Sequence, residues 1–389
     1  MKSNVIEISS RLLKRNYGSA VQLFIGKLRN QSLQLAVFKN PMKTAVKSFL
    51  KTVFASALLM LLIECEIAEY PYFVKRPGGD HGMLWVANSA DNTVTCIDRM
   101  SEKKIGTYAV GPNPSRTAVD LDGNCWVGSR GDGTVYFVTT KGKTTRYEGF
   151  NAVRGVALDR DGNVWIANSG NSTIQKISAD KKAVSEQVAL AGAVYLYGAL
   201  VDAEGFLWIA DQTAAKLYKY DISAFPDPAA FTVVTLSGLY GFTIDTKGKV
   251  WAAGYSAAVL AKIDAETAVV EMTYPVPPEI FGGSVCAVTF DTKGSIWVSN
   301  DARNSLLRFD PESGIFEEFT ISGTTPHGLG SGDEGYVYSV NNGSNTVSKI
   351  NIKTGKEEHT FTVGNAPYTY SDLTGFIYRH VTLKESGAR

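Results

Sequence analysis

The chain has 389 residues, 44% apolar and 20% charged, with 37 Gly, 18 Tyr and 18 Phe. That composition excludes wholesale disorder and favours strands and turns over long helices. The formal net charge is +1, but residues 1–51 hold ten Lys/Arg and one acid, leaving 29 of the 39 basic and 37 of the 38 acidic residues to 52–389. An acidic body lacks the basic face that sequence-independent nucleic-acid binding needs.

From Met42 the chain reads MKTAVKSFLKTVFASALLMLLIECE. Lys43, Lys47 and Lys51 make a basic start, and residues 53–63 are an apolar run broken only by Ser56. Eleven helical residues reach about 16 Å, short of a ~30 Å hydrocarbon core. Residues 42–65 therefore read as an export signal rather than a membrane span. Leu62-Ile63-Glu64-Cys65 resembles a bacterial lipobox, which implies lipidation at Cys65. Glu64 departs from the small residue that pattern wants, so plain cleavage or a retained anchor stay open. Residues 1–41 lie upstream of this signal. Met42 is a candidate start, and a long cytoplasmic leader is the alternative. Residues 66–82 read as a linker, 83–381 as the folded body and 382–389 as a tail. The expected location is periplasmic or outer-envelope. Cys96, Cys125 and Cys286 are odd in number and lack metal-ligand spacing, so they imply no disulfide framework.

The body repeats. Trp85, Trp126, Trp165, Trp208, Trp251 and Trp297 share one repeat position, and Tyr338 takes the seventh, at intervals of 39 to 46 residues. Around Trp165 the unit reads as a strand at 155–159, a turn RDGN, a strand at 164–168, a turn SGNS and an alternating strand at 173–177. A polar link then leads to a fourth strand near 185–189. Four antiparallel strands every forty-odd residues mark an all-β, seven-bladed β-propeller. An Asp-x-x-Gly turn stands at Asp120, Asp159, Asp202, Asp245, Asp291 and Asp372, and is degenerate at Gly332. The chain enters on the second strand of a blade, at Leu84. The ring is predicted to close by pairing a strand near 367–372 with the N-terminal blade. Residues 376–381 read as one more second-type strand.

The phrase GVALDRDGNVWIAN (155–168) resembles the NHL-repeat and streptogramin B lyase-like (virginiamycin B lyase-like) bacterial propellers. The resemblance covers about 84–380 and implies the propeller fold. It also implies a possible activity: opening of a macrocyclic ester by elimination, assisted by a divalent cation. The lyase's working groups resemble a His before the Gly of a first strand, a second His one blade earlier, and Glu residues beside them. Here Pro326-His327-Gly328 carries the first His. Cys286, Thr325 and Asn341 stand at the other positions. His327 is thus the candidate catalytic residue, no acid is left to bind a cation, and Mg2+ is implied only if the lyase activity holds. No cofactor or metal site is otherwise expected.

The hairpins place a candidate face without any family. First strands line a propeller channel, and their starts lie with the ends of the second strands, opposite the Asp-x-x-Gly turns. The strand starts carry Arg116, Arg154, Tyr197, Tyr240, Cys286, His327 and Tyr368. The strand ends, three residues after each Trp, carry Asn88, Ser129, Asn168, Asp211, Gly254, Asn300 and Asn341. Guanidiniums at a mouth suit a carboxylate or phosphate, and tyrosines suit a sugar or aromatic ring. The ligand-binding set is therefore Arg116, Arg154, Tyr197, Tyr240, Cys286, Tyr368, Asn88, Asn168, Asp211, Asn300 and Asn341. The bland reading is that these groups only satisfy loops and channel water. Asp120-Leu-Asp122-Gly123 and Asp159-Arg-Asp161-Gly162 resemble calcium-loop starts, but Ser129 and Asn168 stand where a bidentate Glu is needed.

The expected function is binding of a small anionic or carbohydrate-like ligand, or of an envelope protein partner, at the funnel face. The alternatives are a carbon–oxygen lyase centred on His327 and a structural scaffold. A carboxylate within reach of His327 separates the enzymatic reading from the others, and Asp211 is the only strand-end acid. A closed ring needs no partner, so a monomer is the default.

Overall fold

The structure, a computed structural model, describes residues 81–384. The expected signal, the Cys65 lipidation site, most of the linker and the last tail residues lie outside them. Among the described residues no helix is long and apolar enough to cross a membrane.

Seven antiparallel sheets follow one another along the chain. Six are four-stranded: blade 2 (114–147), blade 3 (153–189), blade 4 (196–235), blade 5 (239–275), blade 6 (288–320) and blade 7 (326–362). Blade 1 contributes three strands, Met83–Asn88, Thr93–Asp98 and Lys103–Ala109. Its inner strand comes from the other end of the chain. Tyr368 N–H donates to the Ala87 carbonyl, and Trp85 N–H to that of Leu373, both at 2.9 Å. Pro367 bridges Asn88. This is the predicted closure, and it removes the exposed edge that three strands would leave.

Four of the six turn Asp residues, Asp159, Asp202, Asp245 and Asp291, are fasteners. Asp159 Oδ1 accepts the N–H of Asp161 and Asn163, while Oδ2 accepts the Trp165 indole N–H at 2.8 Å. The same indole bond joins Trp208 to Asp202, Trp251 to Asp245 and Trp297 to Asp291, each at 2.8 Å. One carboxylate thus shapes the hairpin and satisfies a buried N–H that would otherwise be costly. It is spent on the turn, as the missing Glu implies. Blade 7 has neither Trp nor Asp and substitutes both together: the Tyr338 hydroxyl donates to Glu334 at 2.5 Å, and the fully buried Arg99 of blade 1 pairs with the same carboxylate.

Packing runs between blades. Trp165 of blade 3 shares a core with Leu196, Leu207, Ile209 and Tyr218 of blade 4. A blade cannot bury its own face, so neighbours cover one another.

Residues 376–381 correct the sequence expectation. They form no strand: after Gly375 the chain winds into helix, ending in a short π-helical segment, Tyr378–Thr382. With the ring already closed, no sheet edge is open to it. Instead it plugs the turn end of the channel. Phe376, Ile377 and Val381 are buried in the core shared with blades 4 to 6. Thr382 Oγ1 donates to the Val201 carbonyl, and Asp372 accepts the Tyr378 N–H.

Candidate functional site

Five inner strands carry a β-bulge at their start. Register shifts fall between Val153 and Gly155, between Leu196 and Ala199, between Leu239 and Phe242, and between Pro326 and Gly328. The residues passed over include Arg154, Tyr197, Tyr240 and His327. In blade 2 the passed-over residue is Ser115, beside Arg116. A bulge residue is released from the ladder and its side chain re-aimed. Here that turns Arg154, Tyr197, Tyr240 and His327 toward the channel axis. In blades 5 and 7 the glycine after the bulge residue lets the next inner strand approach: a Cβ on Gly241 would strike the Cys286 carbonyl, and one on Gly328 that of Thr369.

The structure brings together Arg116, Arg154, Tyr197, Tyr240, His327 and Tyr368, and adds Arg130, Tyr195, Tyr255 and Tyr370. Arg116 is fully buried, its guanidinium 4.1 Å from the Tyr370 ring centre and 4.5 Å from that of Tyr197. Arg154 lies over Tyr197 and Tyr195, and Arg130 over Tyr368. The Tyr197 hydroxyl donates to Tyr240 at 2.8 Å and also meets Tyr368 and Tyr370. Burial alone would raise the Tyr368 phenol, but Arg116 and the neighbouring hydroxyls outweigh it and bring it down to about 8. Tyr370 and Tyr240 are pushed far up by burial.

The expected open funnel is a filled one. Tyrosines close the mouth, Ile377 closes the other end, and the cavity between them is about 30 Å³, room for a water molecule or two. Any ligand at this face must rest on the half-buried rim of Arg130, Arg154, Tyr195, His327 and Tyr368. A larger cleft, about 520 Å³, lies at the turn face of blades 4 and 5. Two of its three lysines are engaged with backbone: Lys219 Nζ donates to the Glu266 carbonyl and Lys384 Nζ to that of Thr246.

The strand-end residues behave differently from the binding role expected of them. Asn88, Asn168, Asp211, Asn300 and Asn341 are all fully buried. Asn168 donates to Thr173 and Gln175 and accepts the Asn151 N–H. Asn88 holds Thr93, Thr95 and the Gly364 N–H, and Asn300 holds Ser305 and the loop at Ile280 and Gly282. Asn341 holds Thr346 and Ser348, and Asp211 accepts the N–H of Val194, Tyr195 and Ala214. Their polar atoms are spent on the neighbouring third strands and on loops that frame the mouth.

Cys286 belongs to a second constellation. Its thiol donates to Asp301 Oδ2 at 3.4 Å. His327 Nδ1 lies 3.5 Å from the same oxygen, and Ser284 donates to Oδ1. Asp301 therefore supplies the carboxylate near His327 that strand-end counting misses. It sits one residue past Asn300, on a 3-10 turn, Asp301–Arg303, that folds it back over the mouth. No spacing rule links residues 286, 301 and 327. Burial, with the Arg116 charge added, pushes the His327 imidazole down to about 4. Burial raises both the Cys286 thiol and the Asp301 carboxyl.

The divalent cation implied by the lyase resemblance can be tested against these donors. Mg2+ wants an octahedral set of oxygens. Here one thiol, one carboxylate and one imidazole converge, Asn341 is consumed internally, and Thr325 offers no charge. The residues present do not fit Mg2+.

No curated protein matches the chain. Among solved structures, virginiamycin B lyase from Staphylococcus aureus is similar at 16% identity and a TM-score of 0.58, covering 67% of this chain and 89% of that one. A functionally unknown protein from Desulfotomaculum acetoxidans is similar at 13% identity and a TM-score of 0.59, covering 75% and 100%. A dihydro-heme d1 dehydrogenase in complex with DHE is similar at 16% identity and 0.54, covering 74% and 65%. At such identities these neighbours share the fold. The profile of the Virginiamycin B lyase family matches residues 64–350, and the chain belongs to that family.

Proposed function

We propose that this propeller binds a small anionic ligand, a carboxylate or phosphate with a flat or sugar-like body, on the mouth face. One observation carries the reading. Arg116, Arg130 and Arg154 share one site and none has a carboxylate partner among the described residues, whereas Arg99, Arg146, Arg303, Arg308 and Arg379 each have one and Arg160 is held by the Ala203 and Lys384 carbonyls. A buried guanidinium without a counterion costs several kcal/mol, and tyrosine faces recover only part of that. An anion at the rim would supply the missing charge, with Tyr195 and Tyr368 as stacking faces. Export through residues 42–65 and action as a monomer in the envelope belong to the same reading.

A thermal-shift screen of the full chain against inorganic phosphate, citrate, sugar phosphates and neutral oligosaccharides tests it. A ligand at 100 times its Kd adds about 2.7 kcal/mol. The expected result is a shift with anions that Arg154→Ala removes. A shift that survives Arg154→Ala, or none with any compound, overturns it.

A second reading, elimination on a bound ester with His327 as the proton acceptor, is favoured by Asp301 beside the ring. An orienting carboxylate is what a catalytic imidazole needs. Turnover of a macrocyclic lactone that is lost in His327→Ala would select it.

A further inference from the structure

We propose that Cys286, Asp301 and His327 form a site for a thiophilic divalent ion of the zinc class, in place of the hard cation that the family resemblance implies. The Cys286 sulfur, an Asp301 oxygen and a His327 ring nitrogen all lie within 4.8 Å of one another. The two closest pairs, Cys286 to Asp301 and His327 to Asp301, are 3.4 and 3.5 Å apart. Ligands 2.0–2.3 Å from an ion at tetrahedral angles are separated by about 3.3–3.8 Å. Two of the three donor pairs already match edges of such a tetrahedron, and the third lies within 4.8 Å.

The surroundings fix each donor. The Cys286 backbone is pinned to Ser299, its N–H bonding that carbonyl at 3.1 Å. Ser284 holds the far oxygen of Asp301. His327 Nε2 faces the Tyr240 hydroxyl at 3.3 Å, while Nδ1 is buried and makes no hydrogen bond. Donation of Nε2–H to Tyr240 leaves the Nδ1 lone pair directed at Asp301, the outer-sphere arrangement that orients a metal-binding histidine. Side-chain exposures of 14% for His327 and 9% for Asp301 leave a narrow way in.

Thiolate and imidazole ligands select zinc-class ions over Mg2+ or Ca2+. Binding one M2+ replaces the thiol proton, which leaves to solvent. Thiolate and carboxylate then neutralise the ion, so the occupied site beside Arg116 is formally neutral, one charge more positive than the metal-free carboxylate. Three protein ligands leave the fourth position for water or a ligand group, as in open rather than structural zinc sites. The inference is independent of the anion-binding reading, since it uses none of the arginines.

Chelator-treated full-length protein is titrated with Co2+, followed by absorption, and with Zn2+, followed by calorimetry in two buffers. The expected result is one ion per chain, a thiolate-to-cobalt charge-transfer band and one proton released. Cys286→Ser should abolish the band, and Asp301→Asn and His327→Gln should each weaken Zn2+ binding at least about 100-fold. Cys96→Ser should change nothing. Circular dichroism checks that each variant is folded, and Asp301→Asn retains the thiol if Cys286→Ser is unstable. Absence of the band in the parent protein, or its persistence in Cys286→Ser, overturns the proposal, as does Zn2+ affinity unchanged in both other variants.

Discussion

The Arg116 guanidinium lies 4.1 Å from the ring centre of Tyr370, so a buried cation of blade 2 is roofed by the strand that closes blade 1. Ring closure and the mouth face therefore share a residue. Arg116→Met keeps most of the volume and removes an uncompensated charge. Such replacements are often neutral or stabilising by about 1–4 kcal/mol. The expected outcome is an unchanged or higher Tm in thermal melts, with anion affinity lost. A large fall in Tm would show that the cation–π contacts outweigh the desolvation they offset.

Tyr368 gives the mouth a pH dependence. Its folded-state value is depressed from about 10 to about 8, so the phenolate competes for Arg116 as pH rises through 8. Anion affinity should fall between pH 7 and 9 in calorimetric titrations, and Tyr368→Phe should flatten that fall. For a group with a depressed folded value, the linked stability is present above the unfolded value and is lost as pH falls through the folded one. The melt of the ligand-free protein should therefore rise from pH 8 toward 10, an increase absent in Tyr368→Phe.

The Asp–Trp fasteners should each matter by a similar amount. Asp291→Ala strands the Trp297 indole N–H and two turn N–H groups. A buried unsatisfied donor costs about 1–3 kcal/mol, so a loss of about 2–4 kcal/mol in urea unfolding is expected. Glu334→Ala should cost at least as much, because it takes the Glu334 carboxylate away from the buried Arg99 as well as freeing Tyr338.

Gly328 is where blade 7 meets the closing strand. A Cβ there strikes the Thr369 carbonyl, so Gly328→Ala must displace the strand that carries Tyr368 and Tyr370. Amide exchange should quicken at Trp85 and Tyr368, whose N–H groups bond across the closure, before the rest of the ring. Phe376→Ala in the plug should cost about 3–5 kcal/mol without disturbing that exchange pattern.

The repeat was written plainly in the chain. Six Trp in register, the Asp-x-x-Gly turns and the missing first strand at Leu84 determine seven blades and their closure, because hairpin chemistry and mutual burial are local to each repeat. The strand starts also named most of the mouth, from Arg116 round to Tyr368. What tertiary structure decided depends on neighbours. The bulges that free Arg154, Tyr197, Tyr240 and His327 arise where inner strands crowd the axis. Asn88, Asn168, Asn300 and Asn341 were polar residues of the right address, but only the fold shows their amides spent on loops. The segment at 376–381 had the letters of a strand and no open edge to join, so it became a plug. Asp301 met Cys286 and His327 through a single turn between the second and third strands of blade 6, a juxtaposition no sequence spacing encodes, since its three members come from two inner-strand starts and a loop.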